Sequence, residues 1–295
     1  MNDWPAVRSA LEQQMSRSLR DARTRPVGGG DVSYSLRVDG GGHTFFLKYE
    51  PLANAARLEA EAAGLAEMAQ ATQMHIPDVL ALGTTDASAF LALEYMDMHP
   101  PDSDSAPRLG EALAEMHGIV SPNFGWYRNN FIGLNPQYNQ VNGVWLEFFR
   151  ENRLRVMVDA LAVDYPALAN RGDRLLTSLD ALIGDHRPEA SLVHGDLWAG
   201  NVGCDERGMP TLFDPAVYYG DRETDLAMAE LFGGFPPLFF ESYWHAWPIP
   251  IGYRRVRRPL YQLYHLLNHV RQFGEAFVRG SHAVIDQLLA ELRGD

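Results

Sequence analysis

Residues 191–215 read SLVHGDLWAGNVGCDERGMPTLFDP. The opening apolar run reads as a strand at 191–194 and leads into His194-Gly195-Asp196. Asn201 follows five residues after Asp196, and a second apolar strand, Thr211 to Phe213, ends at Asp214. Phosphoryl transfer needs these residue types in this order. One carboxylate orients the attacking hydroxyl and accepts its proton; an amide oxygen and a second carboxylate hold magnesium on the nucleotide phosphates. The Asp196–Asn201 spacing is that of the protein kinase catalytic loop. A hairpin with polar turn residues yields an isolated Asp and Asn by accident, whereas the whole series with His194 is much rarer.

Upstream, the 25 basic residues of the chain are 24 Arg and a single Lys, Lys48. Arg is a wide planar fork and Lys a compact point charge, so a chain that uses Arg everywhere else keeps Lys where the fork does not fit. Lys48 lies in the predicted strand Phe45 to Tyr49, after a turn at Asp39 to Gly42 and a first strand from Ser33 to Val38. A kinase uses such a lysine to grip the α- and β-phosphates, aimed by a helix glutamate. The next helix, predicted over 54–70, carries Glu59 and Glu61, of which Glu61 is favoured. Gly28, Gly29 and Gly30 stand before the first strand, where backbone amides approach phosphates; glycine triplets also mark plain turns. Glu94, Tyr95 and Met96 end the last strand of this region, the place of an adenine-binding hinge.

The remaining pattern completes an α+β, two-lobed protein-kinase-like fold. Trp4, Val7, Leu11, Met15 and Leu19 predict a helix over 3–20, and strands are expected at 78–83 and 89–95. After a linker rich in Pro and Asp, helices are expected at 107–119, 144–160, 166–185, 223–232 and 258–293. The expected division is a small β-rich N-terminal nucleotide-binding lobe, 1–97, and a larger, mostly helical catalytic and substrate lobe, 98–295, with ATP between them. The helix at 223 begins too soon after Asp214 to leave room for the peptide platform of a protein kinase. The acceptor is therefore a small molecule or a small adduct on something larger.

Composition narrows the setting. The chain has 295 residues and a formal net charge of −13, which disfavours nucleic acid and anionic membrane partners. Cys204 is its one cysteine, so no intrachain disulfide forms. The first residues show neither a basic n-region nor an apolar h-region, and no apolar run reaches membrane-spanning length. A cytoplasmic protein is expected.

Taken together, HGDLWAGN (194–201), FDPAVYYGDRETDLAM (213–228), NNFIGLNPQYN (129–139), WLEFFRENRL (145–154) and LYHLLNHVRQFG (263–274) resemble the fructosamine kinase family. That family is related to aminoglycoside and choline kinases. The resemblance implies Lys48 and Glu61 as an ion pair on the nucleotide side, Asp196 as base, and Asn201 and Asp214 on magnesium. It implies phosphorylation, with ATP, of the O3 hydroxyl of a fructosamine or ribulosamine, free or on a protein lysine, leading to deglycation. The chain departs from the family pattern at Asn135, Val141 and Asp221, where Thr, Trp and often His are usual. The 135–144 region, with Gln137 and Asn139, is expected to face the acceptor. Trp198 is a candidate sugar platform or a core tryptophan. Asp225 either braces the catalytic loop or is an ordinary acidic residue in a first helical turn. His265 and His269 read as structural. The rival functions are a kinase for an aminoglycoside, choline or similar alcohol, and a nucleotide-binding pseudokinase.

Overall fold

The computed structural model describes residues 3–28 and 34–292. They form two compact units. One runs through Pro101 and includes Gly200–Pro215; the other comprises Asp102–Ala199 and the chain from Ala216 onward. The sequence predicts two contiguous lobes meeting at 97, without this second excursion of the chain.

The first unit is built on a five-stranded antiparallel sheet. Its strands are β1 (Arg23–Pro26), β2 (Tyr34–Gly40), β3 (His43–Pro51), β4 (Val79–Thr84) and β5 (Ser88–Glu94), in the order β1-β2-β3-β5-β4. Gly40 pairs with His43 across a two-residue loop. Gly41 and Gly42, at φ 61° and 78°, supply the left-handed pair that such a tight hairpin requires. Because strand side chains alternate faces, β3 has two jobs. Phe45 and Leu47 join Val38, Phe90 and Ala92 in a core closed by Val7 and Leu11 of α1 (Trp4–Met15). Lys48 and Glu50 point the other way, toward α2 (Ala55–Ala69).

The helix expected over 3–20 stops at Met15, because Ser16 turns left-handed at φ 53°. Leu19 still reaches the core, its N–H held by the Glu12 carboxylate at 2.5 Å. The second excursion joins this unit as a hairpin of Val202–Cys204 and Pro210–Leu212. The backbone of His75 clasps that hairpin, its N–H donating to Pro210 O (2.8 Å) and its C=O accepting from Leu212 N (3.1 Å).

The second unit is mainly helical. Its longest helix, Arg258–Phe273, is buried along most of its length. The expected helix at 258–293 breaks at Gly274, passes through a 3₁₀ turn and resumes as Val278–Glu291. The expected helix at 166–185 divides into Pro166–Leu176 and Leu179–Ile183. There the hydroxyls of Thr177 and Ser178 take the Arg174 carbonyl, at 2.8 and 3.0 Å, and end the first helix. A small sheet of Tyr218–Gly220, Ala190–Val193 and Val120–Ser121 carries the segment that enters the HGD turn. No helix among the described residues is long and apolar enough to cross a membrane.

Candidate active site

In the first unit the site is a corner built around Lys48. Its side chain is 8% exposed, and Nζ lies 2.8 Å from Glu61 Oε1 and 2.5 Å from Asp214 Oδ1. Burial works against the lysine charge, but the two carboxylates outweigh it and hold the pKa above its usual value. One cation between two acids leaves a surplus of negative charge. Burial raises the Glu61 carboxyl to about 7, with help from Asp214 and Glu50 and against the pull of Lys48.

A second, reversed pair sits beside the first. Glu50, two residues along β3 from Lys48, accepts a bidentate contact from Arg57, whose Nε lies 3.1 Å away. Arg57 stands one turn before Glu61 on α2. The strand thus offers plus then minus, and the helix plus then minus along the opposing face. A slide of α2 by one turn would set like charges against each other, so this crossed arrangement fixes the register that aims Glu61 at Lys48.

Asp214 follows the strand Pro210–Leu212 in a left-handed conformation, φ 56°, costly for a residue with a Cβ and common where a side chain must be aimed. Its side chain is 41% exposed. Asn201 Nδ2 approaches the Asp214 carbonyl at 3.5 Å. An exposed carboxylate and an amide oxygen are hard donors of the type magnesium takes, so the residues present fit that ion. Glu94 ends β5 with its carboxylate 2.8 Å from His75 Nε2, and half-buried Tyr95 and Met96 follow in irregular backbone. Gly28 is described and a Cβ on it would meet open space; Gly29 and Gly30 lie outside the described residues.

In the second unit the site is the HGD turn. Gly195 has φ 82°, and a Cβ there would sit 2.1 Å from Ala216 O, so no other residue fits. Asp225, 1% exposed, receives the N–H of His194 (2.7 Å), the N–H of Gly195 (2.9 Å) and His117 Nε2 (3.1 Å). Burial opposes its charge. The imidazoles of His117 and His194 and the Gly195 N–H prevail and keep its pKa low. Of the two readings of Asp225, the structure selects the brace. Asp196 N lies 3.2 Å from His194 Nδ1, and Trp198 is 39% exposed, which removes the core reading for that tryptophan.

The expectation that Gln137 and Asn139 face the acceptor is corrected. Each is 1% exposed and committed to internal partners. Gln137 Nε2 donates to Ala216 O and Asn130 Oδ1, both at 2.9 Å, and its Oε1 accepts from Tyr264 OH at 2.8 Å. Asn139 Nδ2 donates to Asn130 Oδ1 (2.8 Å), and its Oδ1 accepts from Arg153 Nη2 (2.7 Å). Arg153 is fully buried, 4.0 Å from the Tyr218 ring centre. Asn130 Nδ2 holds Val217 O at 2.7 Å, and Ala216 N donates to His194 O at 2.9 Å. These amides therefore grip the segment that supports the HGD turn.

His186, Asp221 and Glu223 place ligand atoms within 4.8 Å of one another. Arg257 already takes both oxygens of Glu223, at 2.6 and 2.8 Å, and Tyr261 OH takes Asp221 at 2.6 Å. A metal ion would compete with that guanidinium, and the group reads as a structural ion network.

A family model described as fructosamine kinase matches residues 3–291. A probable ketoamine kinase of Synechocystis is 35% identical over 289 residues, 97% of each chain. The crystal structure of a protein from Haemophilus somnus, provisionally named a fructosamine-3-kinase, is similar at 25% identity and a TM-score of 0.87, covering 97% of both chains. An aminoglycoside phosphotransferase crystallised with ADP and hygromycin B shares the fold at 18% identity and a TM-score of 0.63, with 98% of each chain covered. The fold is thus the kinase-like α+β one that the sequence predicts.

Proposed function

We propose that this chain, which belongs to the fructosamine kinase family and is a phosphotransferase, moves the γ-phosphoryl group of ATP to the O3 hydroxyl of a fructosamine or ribulosamine. The observation that carries this reading is the single lysine held between Glu61 and Asp214. When nucleotide enters, its phosphates take over the charge of Lys48, and Glu61 keeps the ammonium aimed. Asp214 and Asn201 would hold a magnesium ion, which would supply positive charge against the phosphates. Asp196 accepts the proton of the O3 hydroxyl as the O3–P bond forms and the β–γ bridging P–O bond breaks, releasing ADP. Trp198 offers an aromatic face to the sugar.

The product then decays by its own chemistry. The ketoamine 3-phosphate tautomerises to the 1,2-enaminol, whose nitrogen lone pair expels phosphate from C3. Water hydrolyses the resulting imine, leaving inorganic phosphate, a 3-deoxyosone and the free amine. On a protein lysine this is deglycation. A single cysteine and the ATP requirement suit a cytoplasmic setting, and the acidic net charge suits neither nucleic acid nor anionic lipid as partner.

ATP consumption measured across ribulosamines, fructosamines and amino alcohols tests the reading. ADP formation with ketoamines supports it. ADP only with amino alcohols or aminoglycosides would move the chain to that rival, and no ADP with any acceptor would make it a pseudokinase.

A further inference from the structure

One group of exposed rings has no part in the reaction as described. Phe232, just past the helix Glu223–Leu231, is 44% exposed, and Phe273, at the end of Arg258–Phe273, is 47% exposed. With His269 and Phe277 they form one cluster. Ring centres lie 5.0 Å apart for Phe232–His269, 5.5 Å for His269–Phe273, 4.9 Å for His269–Phe277 and 6.0 Å for Phe273–Phe277. Phenylalanine forms no hydrogen bond, so rings left in water offer a ligand apolar area and the negative face of the π-system.

The cluster borders the catalytic loop. Gly234, two residues after Phe232, approaches so closely that a Cβ on it would sit 2.6 Å from Ala199 Cβ, three residues past Asp196. On another side Gln272, next to Phe273, accepts a hydrogen bond from Leu134 N at 3.1 Å, at the tip of the hairpin that grips the HGD support.

His269 adds a polar element. Its Nδ1 lies 2.7 Å from the His265 carbonyl, which can only accept, so Nδ1 carries the proton. Burial lowers its pKa, against that hydrogen bond, and the ring is neutral at neutral pH. Nε2 is then a lone-pair acceptor, and the ring does not repel a cation. An anion would meet the negative ring faces, and a neutral polar chain would find one acceptor and nothing else.

We propose that Phe232, Phe273 and His269 bind the amine-bearing arm of the acceptor, a protonated secondary amine continuing into a methylene stem like that of lysine. This rests on the ketoamine reading and specifies its substrate: a cationic alkylamine arm is favoured over neutral arms carrying the same sugar. The methylenes lie on phenyl area, the ammonium over a ring face, and one N–H on His269 Nε2.

The test uses the full chain with two acceptors of the same sugar and chain length. One is the ribulosamine of Nα-acetyl-lysine; the other is its uncharged analogue with an ether oxygen in place of the linking nitrogen. Phe232→Leu and Phe273→Leu keep apolar bulk and remove the π face. Each should raise KM for the cationic acceptor about 3- to 30-fold, with little change for the ether and with KM for ATP and Tm unchanged. Phe273→Trp should preserve the preference for the cation. Equal losses on both acceptors, or none, would overturn the proposal.

If the wild type phosphorylates no ketoamine, the ketoamine reading fails by itself, and Nα-acetyl-Nε-methyl-lysine titrated against the His269 ring proton signals decides the patch. A saturable shift lost in Phe273→Leu upholds it, and no shift overturns it.

Discussion

The Lys48 corner and the Asp225 brace are both buried groups of charges, but their balances are opposite. At Lys48 one cation answers two carboxylates, one of them 41% exposed and reached through a left-handed backbone. At Asp225 one carboxylate, 1% exposed, is met by two backbone N–H groups and an imidazole, and nothing is left over. A corner with surplus negative charge and an open carboxylate can change partners under the proposal that nucleotide phosphate and a metal ion bind there. A saturated carboxylate cannot change partners without loss, and so it fixes the turn that presents Asp196. The difference separates groups that bind from groups that position.

The largest effect should come from the residue that the brace presents. Asp196→Asn removes the proposed base and leaves the Lys48 corner intact. Turnover should fall by about 10²–10⁴-fold, with ATP affinity unchanged by calorimetry. Wild-type turnover in this variant would separate Asp196 from the reaction.

Next comes the brace itself. Asp225→Asn sets an amide N–H₂ against donors that need an acceptor, and should cost about 2–4 kcal/mol of stability in urea unfolding, with a matching fall in kcat. A variant as stable as wild type would show the carboxylate to be replaceable and the comparison to be wrong. At the corner, Lys48→Arg keeps the charge but not its shape. Losing one charge-assisted contact, about 1.5–3 kcal/mol, corresponds to about 10- to 100-fold in kcat/KM for ATP. Unchanged constants would mean that the site does not distinguish a point charge from a fork.

The smallest effect is on pH dependence. Glu61 is raised to about 7 from an ordinary 4.5, so between those values the folded state binds more protons than the unfolded. Its contribution to stability is therefore fully present below about 4.5 and is lost as pH rises toward 7. The stability difference between wild type and Glu61→Gln, followed by thermal unfolding, should fall across that window and level off above it. A difference independent of pH would mean that Glu61 stays ionised throughout.

Much of this was legible before folding. The strands read at Ser33 to Val38 and Phe45 to Tyr49, with the Asp39–Gly42 turn between them, match the β2–β3 hairpin, and the HGD series named the candidate chemical residues. The pairing of Glu50 with Arg57 was not read from the sequence, where nothing marks the two as facing each other. β1, Arg23–Pro26, has four exposed residues and no apolar pattern to betray it. His117 reaches Asp225 across 108 residues, beyond any local signal. Gln137 and Asn139 misled because a polar loop reads as ligand-facing. Packed against the segment 216–217, the loop spends its amides on backbone carbonyls that would otherwise be buried unpaired.

If the chain phosphorylates ketoamines, a glycated peptide is a substrate on which the whole sequence of events can be followed. The peptide, incubated with the protein, ATP and magnesium, is followed by mass spectrometry. A transient adduct one phosphate heavier should appear, then the peptide with its free lysine, with inorganic phosphate lagging behind ADP. A phosphorylated adduct that persists with no free lysine would contradict deglycation, and a glycated peptide left unchanged while ribulosamines and fructosamines alike yield no ADP would contradict the ketoamine kinase itself.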